Sequence, residues 1–99
     1  MKTTKARQIA RGKPCMIRIE EMCNGDTETT VLAHYRLAGT CGMGMKPDDE
    51  QAAWACSTCH DIVDGRMKTP WAWEILRMWH ADGVMRTQYA IRHKTYGVK

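Results

Sequence analysis

Ninety-nine residues, a formal net charge of +4, five cysteines and no phenylalanine describe a chain with room for one domain and a limited core. The longest unbroken apolar run is Ala52–Cys56, far too short for a membrane span, and Met1 to Lys13 is basic and polar, without the apolar segment of a secretory signal. An odd cysteine count also argues against a secreted disulfide framework, so the expectation is a reducing cytoplasm in which thiols are available for metal.

Charge is unevenly distributed. Lys2, Lys5, Arg7, Arg11, Lys13 and Arg18 fall before Glu20 with no acid among them, and Arg86, Arg92, Lys94 and Lys99 follow Val84 in the same way. Two basic ends suit a polyanion such as nucleic acid, since each neutralised phosphate releases counterions. A solvated tail and a solvated helix face would give the same pattern.

In chain order, residues 1–13 read as a basic, flexible segment and 14–99 as a single domain. Cys15 to Ile19 has a β-like pattern, followed by the turn signal Asn24-Gly25. Thr29 to Tyr35 is rich in β-branched residues and reads as a strand. Arg36 to Gln51 holds Gly39, Gly42, Gly44 and Pro47 and reads as a long irregular loop, a length that in compact domains usually serves function. Ala52–Ala55 reads as a second strand, and a short helix from Ser57 ends near Gly65. Thr69-Pro70 is a helix start with proline at the first helical position, and Trp71, Ile75 and Trp79 make an apolar stripe at helical spacing. Asp82-Gly83 is expected to end that helix, with Val84–Tyr96 read as a second helix in preference to an extended segment. Trp73 lies off the stripe and is expected at the surface.

Four cysteines form two pairs, Cys15-x7-Cys23 and Cys56-x2-Cys59. Zinc favours tetrahedral thiolate coordination, and structural sites of this kind are closed by four protein ligands. The second pair has the spacing of a zinc knuckle, so Cys15, Cys23, Cys56 and Cys59 are expected to hold one structural Zn²⁺. A redox role for Cys56 and Cys59 would need a βαβ context that the pattern lacks. Cys41 is left over as a plain thiol.

His60 follows the knuckle directly, and His34 closes the upstream strand. A strand histidine, a loop, a short strand and then a helix opening Cys-x-x-Cys-His is an order that resembles the zinc-bearing HNH, or ββα-metal, nucleases. The resemblance implies an α+β fold: a small zinc-stapled ββα-metal (HNH-like) domain with additional C-terminal helices. It also implies a general base at His34, and a catalytic divalent cation, Mg²⁺ or Mn²⁺, bound by His60 with Asp64 one helical turn on.

More specifically, Pro14-Cys15, Cys23-Asn24-Gly25, Glu28 to His34, Ala55 to Asp61 and Met85-Arg86-Thr87-Gln88 resemble the YbcO-like family of predicted prophage nucleases. That likeness covers most of the chain from about residue 8. It implies an endonuclease of phage or prophage origin in the bacterial cytoplasm, with nucleic acid, DNA foremost, as substrate and a phage recombination or replication protein as partner.

Two departures from the wider HNH pattern stand out. Ala33 occupies the place before the strand histidine where many such enzymes carry an acidic metal ligand. The middle asparagine has no direct counterpart, and Asp49 is the catalytic residue expected in its stead, with Asp48 and Gln51 nearby. Lys13, Arg18, Arg36 and Lys46 are the expected phosphate contacts. The rival reading is a non-catalytic zinc module that binds nucleic acid or a protein. A zinc deaminase is set aside, because its histidine ligand is followed two residues later by glutamate and its knuckle is preceded by proline, whereas here Arg36 and Ala55 hold those places.

Overall fold

The computed structural model describes residues 5–37, 39 and 48–93. Its elements, in chain order, are helix α1 (Lys5–Ala10), a single 3-10 turn (Thr27–Thr29), strand β1 (Val31–His34), strand β2 (Ala52–Ala55), helix α2 (Ser57–Val63) and helix α3 (Trp73–His93). The chain is therefore a small α+β structure. Cys41, Lys46 and the end of the expected last helix lie outside the described residues.

β1 and β2 pair antiparallel, with Val31 opposite Ala55 and His34 opposite Ala52. Because side chains alternate along a strand, the two faces of this ribbon have different jobs. Ala33, Ala53 and Ala55 face a core made of Ile17, Ile19, Ile62, Val63, Leu76, Val84 and the cysteines. Leu32, Ala52 and Trp54 face a second cluster with Ala10, Met16 and Ala90. Three alanines on one face bring α2 and α3 close, and Trp54, only 1% exposed, fills the other side.

The polar start of the chain was expected to stand apart from the domain. From Lys5 to Ala10 it is instead a helix whose Ala10 is fully buried beside Leu32 and Trp54. Cys15 to Ile19 is not a strand. Arg18 and Glu21 have positive φ (56° and 64°), a conformation no strand accommodates, because the backbone turns tightly around Cys15. Met16, Ile17 and Ile19 are buried all the same.

α2 ends where expected. Gly65 (φ 80°) adopts the left-handed conformation, Gly65 N–H donates to the Ile62 carbonyl and Arg66 N–H to the Asp61 carbonyl, which together close the last turn. The C-terminal region corrects the expectation of two helices. α3 begins at Trp73, three residues after Pro70, and runs 21 residues through Gly83 without a break. Gly83 is buried against Met16 and Ile17, so it serves as the place where another backbone crosses the helix. Among the described residues no helix is long and apolar enough to cross a membrane.

Candidate functional site

The sulfurs of Cys15, Cys23, Cys56 and Cys59 lie within 4.8 Å of one another. Two local turns achieve this. Arg18 N–H points at Cys15 Sγ (3.5 Å) and Cys59 N–H at Cys56 Sγ (3.4 Å), so each turn presents amide donors to a sulfur. Asn24 joins the halves: its amide donates to the Ser57 and Thr58 hydroxyls (both 3.1 Å), tying the Cys23 loop to the start of α2.

A tetrahedral zinc with bonds of about 2.3 Å sets its sulfurs roughly 3.8 Å apart, and Cys23 Sγ and Cys56 Sγ are 3.8 Å apart. The protons tell the same story. Hydrogen bonding from the Cys59 thiol draws the Cys15 pKa down to about 5, and that same bond, with burial, pushes Cys59 well up. Burial takes Cys23 up to about 11. Thiolates packed this closely repel one another unless a cation lies between them. The donor set therefore suits a structural metal ion such as zinc.

His34 is half-buried, on the same strand face as Leu32. Its Nε2 is 2.8 Å from Asp49 Oδ1, and Arg7 Nε of α1 is 3.7 Å from the same oxygen. Asp49 reaches this position because the turn before β2 is pinned to the end of β1. Tyr35 N–H donates to the Gln51 carbonyl, the Gln51 amide donates back to the Tyr35 carbonyl, and Gln51 N–H closes the turn onto Asp48.

His60 stands on α2 directly after the cysteine pair, with Nε2 3.4 Å from Asp64 Oδ2. Burial lowers its pKa, Asp64 opposes that shift, and Arg66 and His34 add to it. Asp64 caps the C-terminal end of α2, where the helix dipole disfavours a carboxylate. Arg66 compensates, donating to Asp64 Oδ2 at 2.8 Å and lying 3.4 Å from His60 Nδ1. Among the described residues, the cysteines are the group of three or more ligand-type side chains drawn into metal-binding range; His60 and Asp64 are a pair.

Of the expected phosphate contacts, Arg36 is exposed and Lys13 half-buried. Arg18 folds back onto the cysteine turn, donating from Nε to the Cys15 carbonyl at 3.2 Å. Trp73 is exposed as expected, whereas Trp71 and Trp79 meet edge-to-face beside the core.

Sequence reading missed His80. It is 4% exposed, and its Nε2–H donates to the Ala33 carbonyl at 2.8 Å, fixing the backbone immediately before His34. Its place on the apolar side of a helix was the available signal. Thr87 was missed too: its hydroxyl accepts from Trp54 N–H (3.0 Å) and donates to the Gly83 carbonyl (2.8 Å), covering the outer edge of β2.

Fold and site together define a small α+β chain with a four-cysteine cluster suited to a metal ion behind a two-stranded hairpin, and a histidine–aspartate pair at the hairpin's loop end. The chain belongs to the family described as "Putative nuclease YbcO", whose model matches residues 4–96. It is 57% identical over 60 residues to a protein of that name from Escherichia coli (strain K12), and equally to one from Enterobacteria phage 82. The matched stretch covers 61% of this chain and 62% of each relative, so it spans about three-fifths of their length. A solved structure described as "a putative bacteriophage protein from Escherichia coli str. K-12 substr. MG1655" superimposes with a TM-score of 0.71 at 36% identity, covering 90% of this chain and 99% of that one.

Proposed function

We propose that this chain is a metal-dependent endonuclease that hydrolyses phosphodiester bonds of nucleic acid, DNA foremost, on a ββα-metal unit formed by β1, β2 and α2. The observation that carries the reading is the His34–Asp49 hydrogen bond of 2.8 Å at the loop end of the hairpin. A carboxylate accepts only, so His34 Nε2 is the donor, and in the neutral ring Nδ1 is then the atom with a free lone pair. Nδ1 takes a proton from the attacking water as its oxygen bonds to phosphorus and the bond to the 3′ oxygen breaks. Asp49 holds the ring in that tautomer and stabilises the imidazolium that results.

His60, with Asp64 beside it, would hold a divalent cation, Mg²⁺ or Mn²⁺, from the helix side. Burial keeps His60 neutral and so able to donate its lone pair. That ion would polarise the phosphate and offset charge on the departing 3′ oxygen. The four cysteines would hold a zinc ion remote from this chemistry, which would fix the start of α2 and hence His60. The nuclease names of the relatives support the reading. In it the protein is phage- or prophage-encoded, works in the bacterial cytoplasm, and serves alongside a recombination or replication protein.

A second reading, a non-catalytic zinc module for nucleic acid or protein, has its own support. Arg66 pairs with Asp64 where the cation would bind, and Ala33 replaces an acidic ligand.

The test is cleavage of supercoiled plasmid and of a branched DNA in Mg²⁺, Mn²⁺ or EDTA, beside His34→Ala and His60→Ala variants that retain zinc. Cleavage that needs added metal and vanishes in both variants establishes the nuclease. Its absence in wild type, or its persistence in His34→Ala, gives the site to the second reading.

A further inference from the structure

α1 carries more than a buried alanine. Arg7 lies on this helix and Arg11 in the turn that follows its last residue. Both line a groove of about 690 Å³ between α1 and the start of β1, whose other walls are Gln8, Glu28, Thr29 and Thr30. Arg7 also marks where this groove meets the proposed reaction centre, because its Nε lies 3.7 Å from the Asp49 oxygen that His34 contacts. Arg11 is exposed at the other end and forms no ion pair among the described residues.

We infer that this groove is the track for the nucleic-acid strand entering the His34 site, with Arg11 and Arg7 taking successive backbone phosphates. The inference rests on the nuclease reading for its direction, and it assigns the strand to α1 rather than to Arg18, whose guanidinium is folded over the cysteine turn. A guanidinium is well matched to phosphate, being charged at every relevant pH and presenting a planar fork to two of its oxygens. Val31 and Leu32 line the groove beside the threonines, and contacts made to phosphates alone carry no sequence information, so the binding is independent of sequence. Glu28 is the acid on the groove wall, and it opposes the same phosphates.

Fluorescence anisotropy with a labelled single strand and a labelled duplex, in EDTA over a salt series, tests this on the full chain. Arg11→Ala is expected to weaken binding about equally for unrelated sequences and to lower the slope of log affinity against log salt by about one. Glu28→Gln is expected to tighten binding, a gain that a misfolded variant would not produce. No binding by wild type, or an Arg11→Ala slope equal to the wild type's, overturns the groove. Cleavage in Mg²⁺ or Mn²⁺ is scored in parallel. Wild type that cleaves while Arg11→Ala binds unchanged removes the groove and leaves the nuclease. Wild type that binds through Arg11 yet never cleaves keeps the groove and removes the nuclease.

Discussion

Asp49 Oδ1 lies 2.8 Å from His34 Nε2, although the two are fifteen positions apart in the chain. The carboxylate stands on the turn that enters β2 and the imidazole on the last residue of β1, so hairpin pairing itself brings them together. Asp49→Asn leaves the geometry nearly intact but lets the side-chain amide donate to Nε2, which puts the proton on the wrong nitrogen. Turnover should fall on the order of 10²–10⁴-fold, with unchanged zinc content and little change in KM. Steady-state cleavage of an oligonucleotide measures it. Wild-type turnover in Asp49→Asn would take the base assignment away from His34.

The cysteine cluster makes a prediction that does not depend on catalysis. Metal analysis should find one zinc per chain, and either Cys59→Ser or a strong chelator should release it. Binding at such a site contributes on the order of 10 kcal/mol of apparent folding free energy, more than a core of this size supplies. The metal-free chain should therefore lose its cooperative thermal transition. A chelated protein that still melts cooperatively at the same temperature would show the cluster to be ordinary core.

Gly83 offers a sharper test of packing. Alanine in a helix interior is ordinarily preferred over glycine by about 1 kcal/mol. Here the added Cβ would stand 3.0 Å from the Met16 carbonyl oxygen and 3.1 Å from Ile17 Cα. That backbone has little freedom to yield, since Met16 N–H donates to the Trp54 carbonyl and Arg86 donates to the Met16 carbonyl. Overpacking of this sort costs about 1–3 kcal/mol, so Gly83→Ala should be destabilising in denaturant titration, against the helix preference.

His80 should leave a signature in the pH dependence of stability. Burial lowers its pKa below the ordinary 6.5, only partly opposed by its bond to the Ala33 carbonyl. The unfolded chain therefore takes up the proton first. This contribution is complete above 6.5 and is lost as pH falls through 6.5 towards the lowered folded value. His80→Gln, which cannot titrate, should flatten the fall in melting temperature below 6.5, leaving the part due to His60, whose pKa is also lowered. Parallel curves for wild type and His80→Gln would mean that His80 titrates normally.

Much of the hairpin and the four-cysteine cluster was legible in the sequence alone. Val31–His34 announces itself by its β-branched start, α2 by its cysteine spacing and by Gly65, and the two cysteine pairs by the geometry that a tetrahedral ion demands. These signals are local, and each survives being read a few residues at a time. Asp49 was legible only through the resemblance to HNH nucleases, which directed attention to the loop before β2.

What stayed hidden depends on which surfaces meet. Asp82-Gly83 reads locally as a helix end, yet the crossing of Met16 and Ile17 keeps the helix whole by requiring a residue without a Cβ. Cys15 to Ile19 has strand-like side chains, but the turn around Cys15 governs its backbone. Lys5 to Ala10 looks like a tail and becomes a helix because Ala10 completes the cluster around Trp54. The amino-acid sequence by itself determined the chemistry present: four thiols, two motif histidines, and arginines near the start. Only the tertiary structure decided that His34 pairs with Asp49, that Arg7 joins them, and that His80 is buried. Distant side chains acquire neighbours when apolar faces pack, and no local spacing encodes that choice.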